Sequence, residues 1–390
     1  MLTVPDGALS FASTRLSRRR WLLVAAGAAG AMVAACQPAA PPAPTAVPAK
    51  PTEAPKPAAS PAASPAASPA ASPSPAAAAP AAQGTAAAKP SSMTEVSQVM
   101  NWFAQAAHGG LFAALKNGDY ERANLKMTNE QGGPQISAIP LVASGKHAFG
   151  MMQGDQLLLA RQEGIPLVGV FAIFQTNPQG LMFHMSNPVK DFADLNGRKV
   201  YVSPTATYWL YLVKKFNLDK AEQLAYNGQL ATFLADKTAV FQCYVSSEPP
   251  AAKKQGAEVG YLLNADSGYN PYGNIMATTE QMVKEKPELV QAYVTASLAG
   301  WKSFADKPEP IISFVKEYNK DYDVELGLVA AEIEKPLLTG KSWDPKMMGL
   351  INEQRFKELH DQMREVGVLK QDQDVKKAFD ARFIDAAQKA

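Results

Sequence analysis

The chain has few of the residues on which disulfide-rich folds, metal sites and nucleic-acid binding depend. Only two of its 390 residues are cysteine and four are histidine. The histidines are scattered, and no HExxH or CxxC pattern occurs, so the sequence offers no set of metal ligands. The formal net charge is only +2. Such a balance argues against nucleic acid as a partner.

Arrangements typical of catalysis are also missing. No nucleophile stands with a base, and no paired carboxylates are apparent. Gly109-Gly110 and Gly132-Gly133 lack the surrounding pattern of a dinucleotide or phosphate-binding loop. Turns or close packing explain these glycines better. The sequence therefore predicts a protein that is not an enzyme, has no cofactor and holds no metal.

The N-terminus reads as an export signal. Arg15 and Arg18–Arg20 precede an uncharged apolar run, residues 21–35, that stops at Cys36. Signal peptides show the same order of a positively charged segment, an apolar core and a cleavage site with small residues. The apolar run is short for a membrane-spanning helix. Residues 17–22 resemble a twin-arginine motif, with an ordinary secretory signal as the alternative.

Cys36 ends a Val-Ala-Ala-Cys sequence typical of a lipobox. We expect residues 1–35 to be removed and the Cys36 thiol to be acylated, for example with palmitate. The protein would then be held at the cell membrane, facing the exterior or periplasm. Loss of residues 1–35 would change the formal charge from +2 to about −1. Cys243 would have no disulfide partner, and we predict that it is a small buried apolar residue.

Residues 36–94 form an Ala/Pro/Ser-rich segment in which Pro-Ala-Ala-Ser repeats from Pro57 to Ser72. It has too little apolar bulk for a core and favours polyproline II. We interpret it as a tether that lets the following domain reach a membrane permease. An O-glycosylated stalk is the alternative.

Residues 95–390 alternate short apolar runs with helical patterns, which predicts an α/β fold of two lobes. Gly and Pro place the element boundaries. Predicted strands are 96–102, 125–130, 147–152, 166–174 and 198–202, and predicted helices are 109–117, 135–144 and 208–216. After about residue 278 the pattern is helical almost throughout.

Aromatic and amide side chains gather at the ends of predicted strands, where open α/β sheets present ligand sites. The predicted ligand-binding residues are Asn101, Trp102, Gln153, Gln175, Thr205, Tyr208, Tyr244 and Glu248. Thr205 lies in a hydroxyl-rich turn that either binds a ligand at a helix N-terminus or simply caps that helix. The Glu248 carboxylate either accepts hydrogen bonds from ligand N–H groups or forms a surface cap or salt bridge.

Several motifs, in this order along residues 95–320, resemble one family. The sequence is similar to solute-binding proteins related to thiamine-pyrimidine synthases and to nitrate, sulfonate and taurine receptors. The motifs are Asn101-Trp102, His108-Gly109-Gly110, residues 144–150, residues 160–166, residues 194–200, Glu248-Pro249 and residues 286–290.

The resemblance implies a type II periplasmic-binding-protein fold, in which a hinge joins two lobes around a ligand cleft. Lobe 1 would comprise about residues 95–180 plus 280–390, and lobe 2 about residues 181–279. Such a protein is expected to be a monomer that closes on its ligand and presents the closed state to the permease of an ABC-type importer.

The resemblance leaves three ligand classes open. Riboflavin-binding lipoproteins of this family share the signal, the Ala/Pro tether and an aromatic cleft, so riboflavin is favoured. Pyrimidine precursors of thiamine are the alternative, and nitrate or sulfonates fit the many rings less well.

The synthases are enzymes that use a lysine for pyridoxal phosphate and a histidine four residues later. Here those positions are Met152 and Gln156, which disfavours this enzymatic function.

Overall fold

The computed structural model describes residues 89–133, 136–340 and 343–390. The predicted export signal, the predicted lipidation site Cys36 and nearly all of the predicted tether lie outside these residues. Across the described ranges, no helix is both long and apolar enough to cross a membrane.

Five strands form the first sheet, in the order β2-β1-β3-β10-β4. β1 runs parallel to both β2 and β3, whereas β10 is antiparallel to both β3 and β4. The strands of this sheet are β1 Thr94–Val99, β2 Leu125–Glu130, β3 Phe149–Met152, β4 Leu167–Phe174 and β10 Gly273–Thr279. Every residue of β4 is buried, as expected for a strand covered on both faces.

The second sheet has the order β7-β6-β8-β5-β9. β6 is parallel to β7 and β8, whereas β5 is antiparallel to β8 and β9. Its strands are β5 Gln179–His184, β6 Lys199–Val202, β7 Glu222–Ala225, β8 Val240–Tyr244 and β9 Val259–Leu263. β7 is an almost wholly exposed strand at the edge of this sheet.

The chain passes between the sheets twice, after β4 and after β9. In each sheet the antiparallel strand is the one that directly follows such a passage, β5 in the second sheet and β10 in the first. The two sheets therefore share one arrangement. Three parallel strands lie side by side, and an antiparallel strand lies between the third of them and the last strand of the sheet. The carboxyl ends of β1 and β3 and those of β6 and β8 carry the side chains described below.

Helices cover both sheets and make up most of the chain after β10. They are α1 Gly109–Lys116, α2 Asp119–Arg122, α3 Ala138–Ala143, α4 Gly154–Gln162, α5 Thr207–Phe216, α6 Leu230–Ala235, α7 Glu248–Lys254, α8 Glu280–Glu285, α9 Pro287–Asp306, α10 Glu309–Tyr318, α11 Val324–Leu337, α12 Glu353–Glu365 and α13 Arg382–Ala387.

Close contact between α1 and α9 explains the first glycine pair. A Cβ atom on Gly110 would overlap the Trp301 ring, and one on Gly109 would overlap the Phe304 ring. Gly300 on α9 lies equally close to the backbone of α1. Because these glycines lack a Cβ atom, the two helices can pack this closely, with the Trp301 and Phe304 rings directly against α1. The packing role predicted for Gly109-Gly110 is confirmed.

Candidate ligand-binding site

A cavity of about 370 Å³ lies where strand ends of the first and second sheets face one another. Asn101 and Trp102 follow β1 and Gln153 follows β3, while Ser203 follows β6 and Tyr244 ends β8. Its volume falls in the range of about 300–1,000 Å³ usual for small-molecule sites. We call it the ligand cavity.

The walls of the ligand cavity consist mainly of amide and aromatic side chains. Seven amide residues line it, together with three aromatic residues and Glu248. The amide residues are Asn101, Gln105, Gln153, Gln156, Gln179, Gln242 and Asn274, and the aromatic residues are Trp102, Tyr226 and Tyr244.

The buried Asn274 is the centre of a hydrogen-bond network in the cavity wall. Its Oδ1 accepts from Asn101 Nδ2 at 2.8 Å, from Gln153 Nε2 at 3.1 Å and from Tyr244 O–H at 3.3 Å. Gln153 Nε2 also donates to the Tyr244 hydroxyl oxygen at 3.2 Å. Tyr244 belongs to the second sheet and the other three to the first, so this network connects the two sheets.

Asn274 has a left-handed backbone, with φ of 57°. Asparagine tolerates this conformation better than most residues with a Cβ atom. Asn274 was not predicted, because it stands 173 residues from its partner Asn101. The sequence feature that points to Asn274 is an amide residue directly after Gly273 and directly before the buried apolar run Ile275–Ala277.

His108 fixes the orientation of Asn101. The imidazole Nε2 lies 3.1 Å from Asn101 Oδ1, and complete burial lowers the pKa of His108 to about 3. The ring is therefore neutral at physiological pH, and with its proton on Nε2 it donates to that oxygen. The Asn101 NH₂ group then points at Asn274, with one hydrogen left for the cavity.

This burial predicts a pH effect on stability. Between pH 6.5 and pH 3 the unfolded state binds a proton at His108 that the folded state does not, so the free energy of unfolding falls as the pH falls. His108→Gln keeps a donor for Asn101 and removes the titration. We expect the difference between wild type and variant to change by about 2 kcal/mol from pH 7.5 to pH 5.

Urea denaturation at both pH values checks this expectation. The opposite contribution of Glu334, whose pKa is raised to about 8 by burial, is common to both proteins and cancels in their difference. An unchanged difference between wild type and variant would show that His108 titrates normally.

On the second sheet, Tyr208 and the backbone position Gln242. Gln242 Oε1 accepts from the Ser203 N–H at 2.6 Å and from the Tyr208 O–H at 3.2 Å. With its oxygen occupied, Gln242 has its NH₂ group available for a ligand. Gln242 was not predicted, although one amide between Phe241 and Cys243 in an apolar strand is a signal that points to it.

Glu248, at the start of α7, closes the turn after β8. One carboxylate oxygen accepts from the Tyr244 backbone N–H at 2.8 Å and the other from the Tyr226 O–H at 3.0 Å. Burial raises the pKa of Glu248 above its ordinary value. Its carboxylate lines the ligand cavity and keeps lone pairs for further donors.

Trp102 lies on the loop after β1 with 37% of its surface exposed. The Phe103 ring packs edge-on against it, with the ring centroids 5.7 Å apart. The Gly132 N–H donates to the Trp102 carbonyl oxygen at 2.9 Å. A Cβ atom on Gly132 would overlap this loop's backbone. Gly132 therefore serves close packing, as predicted, and helps to hold the Trp102 ring at the cavity.

Three of the predicted site residues do not line the ligand cavity. Gln175 is buried and donates through Nε2 to the Leu350 carbonyl oxygen at 2.9 Å. Thr205 is exposed, and its hydroxyl lies 3.1 Å from the Ser203 Oγ. Tyr208 lines a neighbouring cavity of about 40 Å³. The structure brings together the other five, Asn101, Trp102, Gln153, Tyr244 and Glu248.

The positions that matter for the enzymatic alternative are both well defined. Met152 is buried at the end of β3. Gln156 lines the ligand cavity, and its Oε1 accepts from the Gln153 N–H at 3.0 Å.

Among the described residues, no group of three or more His, Cys, Asp or Glu could hold a metal ion. Cys243 is a buried free thiol, as predicted.

The described wall residues of the ligand cavity offer no cation to an anionic ligand. Of the described residues in its walls, Glu248 alone carries a formal charge, and none is Lys, Arg or His. An anion placed here would lose its hydration without gaining a charged partner, which is costly. The site therefore suits a neutral ligand with many hydrogen-bonding groups and flat apolar surface.

Solved structures with this arrangement are periplasmic-binding-protein folds. The periplasmic aliphatic sulphonate binding protein SsuA from Escherichia coli superimposes with a TM-score of 0.58 at 13% identity, over 73% of this chain and 91% of that one. The desulfurization enzyme DSZB gives a TM-score of 0.52 at 13% identity, over 75% of this chain and 99% of the enzyme. The α/β fold with two sheets is that of the periplasmic binding proteins, as predicted, and by itself it serves both binding and catalysis.

Residues 105–311 match the NMT1/THI5-like family, and the chain belongs to this family. It is similar to the riboflavin-binding protein RibY of Chloroflexus aurantiacus, with 26% identity over 61% of this chain and 70% of the relative. It is also similar to the formylaminopyrimidine-binding protein of Halalkalibacterium halodurans, with 21% identity over 59% of this chain and 72% of the relative.

A third relative is an enzyme. The 4-amino-5-hydroxymethyl-2-methylpyrimidine phosphate synthase of Schizosaccharomyces pombe is 26% identical over 34% of this chain and 39% of the synthase. The two relatives named as binding proteins share a longer part of the chain.

Proposed function

We propose that the protein captures riboflavin reversibly and delivers it to the permease of an ABC-type importer. The observation that carries the proposal is the composition of the ligand cavity, in which seven amides and three aromatic rings surround a space whose described walls have no basic side chain. Amides donate and accept side by side. They match the alternating N–H and C=O groups at the uracil-like edge of a flavin, while Trp102 and Tyr244 cover its rings.

The relatives support the same ligand class. One is named for riboflavin and another for a formylaminopyrimidine, and both compounds are nitrogen heterocycles without a required charge. Riboflavin is the better match because a space of about 370 Å³ exceeds what a single pyrimidine ring fills. The absence of Lys, Arg and His from the described walls argues against sulfonates and nitrate as ligands.

Isothermal titration calorimetry with a ligand panel tests this assignment. Riboflavin, a formylaminopyrimidine and an alkanesulfonate are titrated into the same preparation. We expect the tightest binding for riboflavin and no measurable binding for the sulfonate. Tight binding of the pyrimidine without binding of riboflavin would make the protein a pyrimidine carrier, and sulfonate binding would contradict the argument from charge.

We further propose that the protein is not an enzyme. The resemblance to the synthases places their pyridoxal phosphate lysine at Met152 and their reacting histidine at Gln156, and neither side chain can replace those groups chemically. Incubation of the protein with pyridoxal phosphate, followed by mass spectrometry, is expected to return the compound unchanged. A pyrimidine product would show that the synthase reaction proceeds with other residues.

The export signal and the lipid anchor also belong to the proposal, since Cys36 lies outside the described residues. Acylation of Cys36 and the Ala/Pro/Ser-rich segment after it would place the binding domain beside a membrane permease. We expect a Cys36→Ser variant to leave the membrane fraction of the expressing cells and appear in the soluble exported fraction. Retention in the membrane fraction would point to another mode of attachment.

A further inference from the structure

A second cavity, of about 210 Å³, adjoins the ligand cavity. Gln105 and Ser247 line both of them. Most of the other wall residues of the second cavity come from Ser246, next to Ser247 after β8, from the segment that precedes α11, and from α11 itself. Because the two cavities share wall residues, two parts of one ligand can occupy them together.

Glu334 on α11 lines the second cavity with an unused hydrogen-bonding atom. It is only 2% exposed. Its Oε1 accepts from the Ser246 Oγ at 2.7 Å, while Oε2 has no partner among the described residues. A buried polar atom without a partner costs about 1–3 kcal/mol. This geometry suits a ligand that supplies the missing partner.

The protonation state of Glu334 indicates which kind of group fits. Burial raises the pKa of this carboxyl to about 8, so it keeps its proton at neutral pH. A protonated carboxyl donates one hydrogen bond and accepts others. An aliphatic hydroxyl group, which also donates and accepts, is complementary to it.

The remaining charges in the walls disfavour an anion. Asp321 and Asp323 line the second cavity, and none of its described wall residues is Lys, Arg or His. Lys254 pairs with Asp323 at 2.6 Å and with Glu325 at 3.1 Å, whereas Asp321 is exposed and has no ion pair among the described residues. A phosphate group would meet the Asp321 carboxylate, and no basic residue among the described walls would balance it.

We propose that the second cavity holds the hydroxylated aliphatic chain of the ligand whose ring lies in the ligand cavity, and that it rejects the same chain when phosphorylated. This inference rests on the proposed capture of riboflavin and extends it. Glu334 and Ser246 contact the chain hydroxyls. Asp321 provides the selectivity against riboflavin 5′-phosphate.

Three flavins distinguish the contribution of the hydroxylated chain from that of the ring and from the effect of a phosphate group. Riboflavin has the chain, lumiflavin has the ring with a methyl group in its place, and riboflavin 5′-phosphate has the phosphorylated chain. Wild type is expected to bind riboflavin about tenfold more tightly than either of the others, as one or two buried hydrogen bonds imply. Glu334→Leu should remove the preference over lumiflavin and leave lumiflavin affinity within about twofold.

Two further variants act as controls. Glu334→Gln keeps a donor of similar size and should retain riboflavin affinity within about threefold. Glu332→Gln changes an exposed carboxylate on the same helix and should have no effect. Circular dichroism shows whether each variant folds. If Glu334→Leu does not fold, the preference of wild type among the three flavins remains the test.

Each failure has a distinct meaning. Equal affinity of wild type for riboflavin and lumiflavin, or equal losses for both in Glu334→Leu, would overturn the chain site and leave riboflavin capture intact. Equal affinity for riboflavin and its phosphate would overturn the exclusion of anions. Failure of wild type to bind any of the three would overturn the proposed function and the chain site with it.

Discussion

Replacement of Trp102 by alanine is expected to weaken riboflavin binding at least about tenfold, because the indole ring supplies stacking and apolar area worth on the order of 1–3 kcal/mol. The ring is already held at the cavity by the Phe103 contact and by the Gly132 hydrogen bond, so binding does not have to order it. Trp102→Phe should recover part of the loss, since a smaller ring can still stack.

Trp343→Ala is the matched control for this prediction. Trp343 is 41% exposed, close to the 37% of Trp102, and its ring packs under Lys335 away from the ligand cavity. Fluorescence titration of both variants and wild type is the measurement. Riboflavin affinity within twofold of wild type for Trp102→Ala would show that the ligand does not lie against this ring.

The second large effect is expected at Asn274. Glycine at this position adopts φ of 57° without strain, so Asn274→Gly removes the amide and preserves the backbone. Asn101, Gln153 and Tyr244 then lose their shared acceptor. Unpaired or reoriented donors in the cavity wall should reduce riboflavin affinity by roughly 10- to 100-fold, which corresponds to about 1–3 kcal/mol.

Asn217→Gly controls for the backbone change. Asn217 has a similar positive φ of 54°, is exposed at the end of α5 and is not a wall residue of the ligand cavity. We expect wild-type affinity from this variant. Calorimetry with riboflavin compares the two, and an Asn274→Gly protein that binds as tightly as Asn217→Gly would mean that the amide network plays no part in recognition.

Much of the first sheet was predictable from the sequence because its strands are either apolar, as β4 is, or alternate buried with exposed residues, as β2 does, and turn residues bound them. The strand at Leu125–Glu130 was predicted residue for residue, and the helix at Gly109–Lys116 within one residue. The predicted strand from residue 96 to 102 ends earlier, at Val99, since the polar loop that carries Asn101 and Trp102 leaves the sheet there.

Other strands gave weaker signals. β7, Glu222–Ala225, is an almost wholly exposed edge strand with little apolar pattern, and it was not predicted. β10 was missed for a different reason. Its position between β3 and β4 depends on the return of the chain to the first sheet, which no local pattern records.

The site was also predicted only in part, because some of its side chains are brought together by tertiary contacts that no local sequence pattern records. Asn101, Trp102 and Gln153 directly follow strands β1 and β3, so the rule that ligands lie at strand ends finds them. Gln175 follows β4 equally closely, but its side chain turns to the Leu350 carbonyl oxygen. Asn274 and Gln242 lie within strands. Their contribution depends on tertiary neighbours such as Ser203 and Tyr208 for Gln242.

Reversible capture of a neutral flavin is the central claim, and flavin fluorescence tests it most directly. Riboflavin is titrated with the purified protein, the bound ligand is released by denaturation, and its mass is measured. We predict saturable quenching at one flavin per chain and recovery of intact riboflavin. Unquenched fluorescence at protein concentrations up to about 100 μM, or recovery of a chemically altered flavin, would contradict the claim.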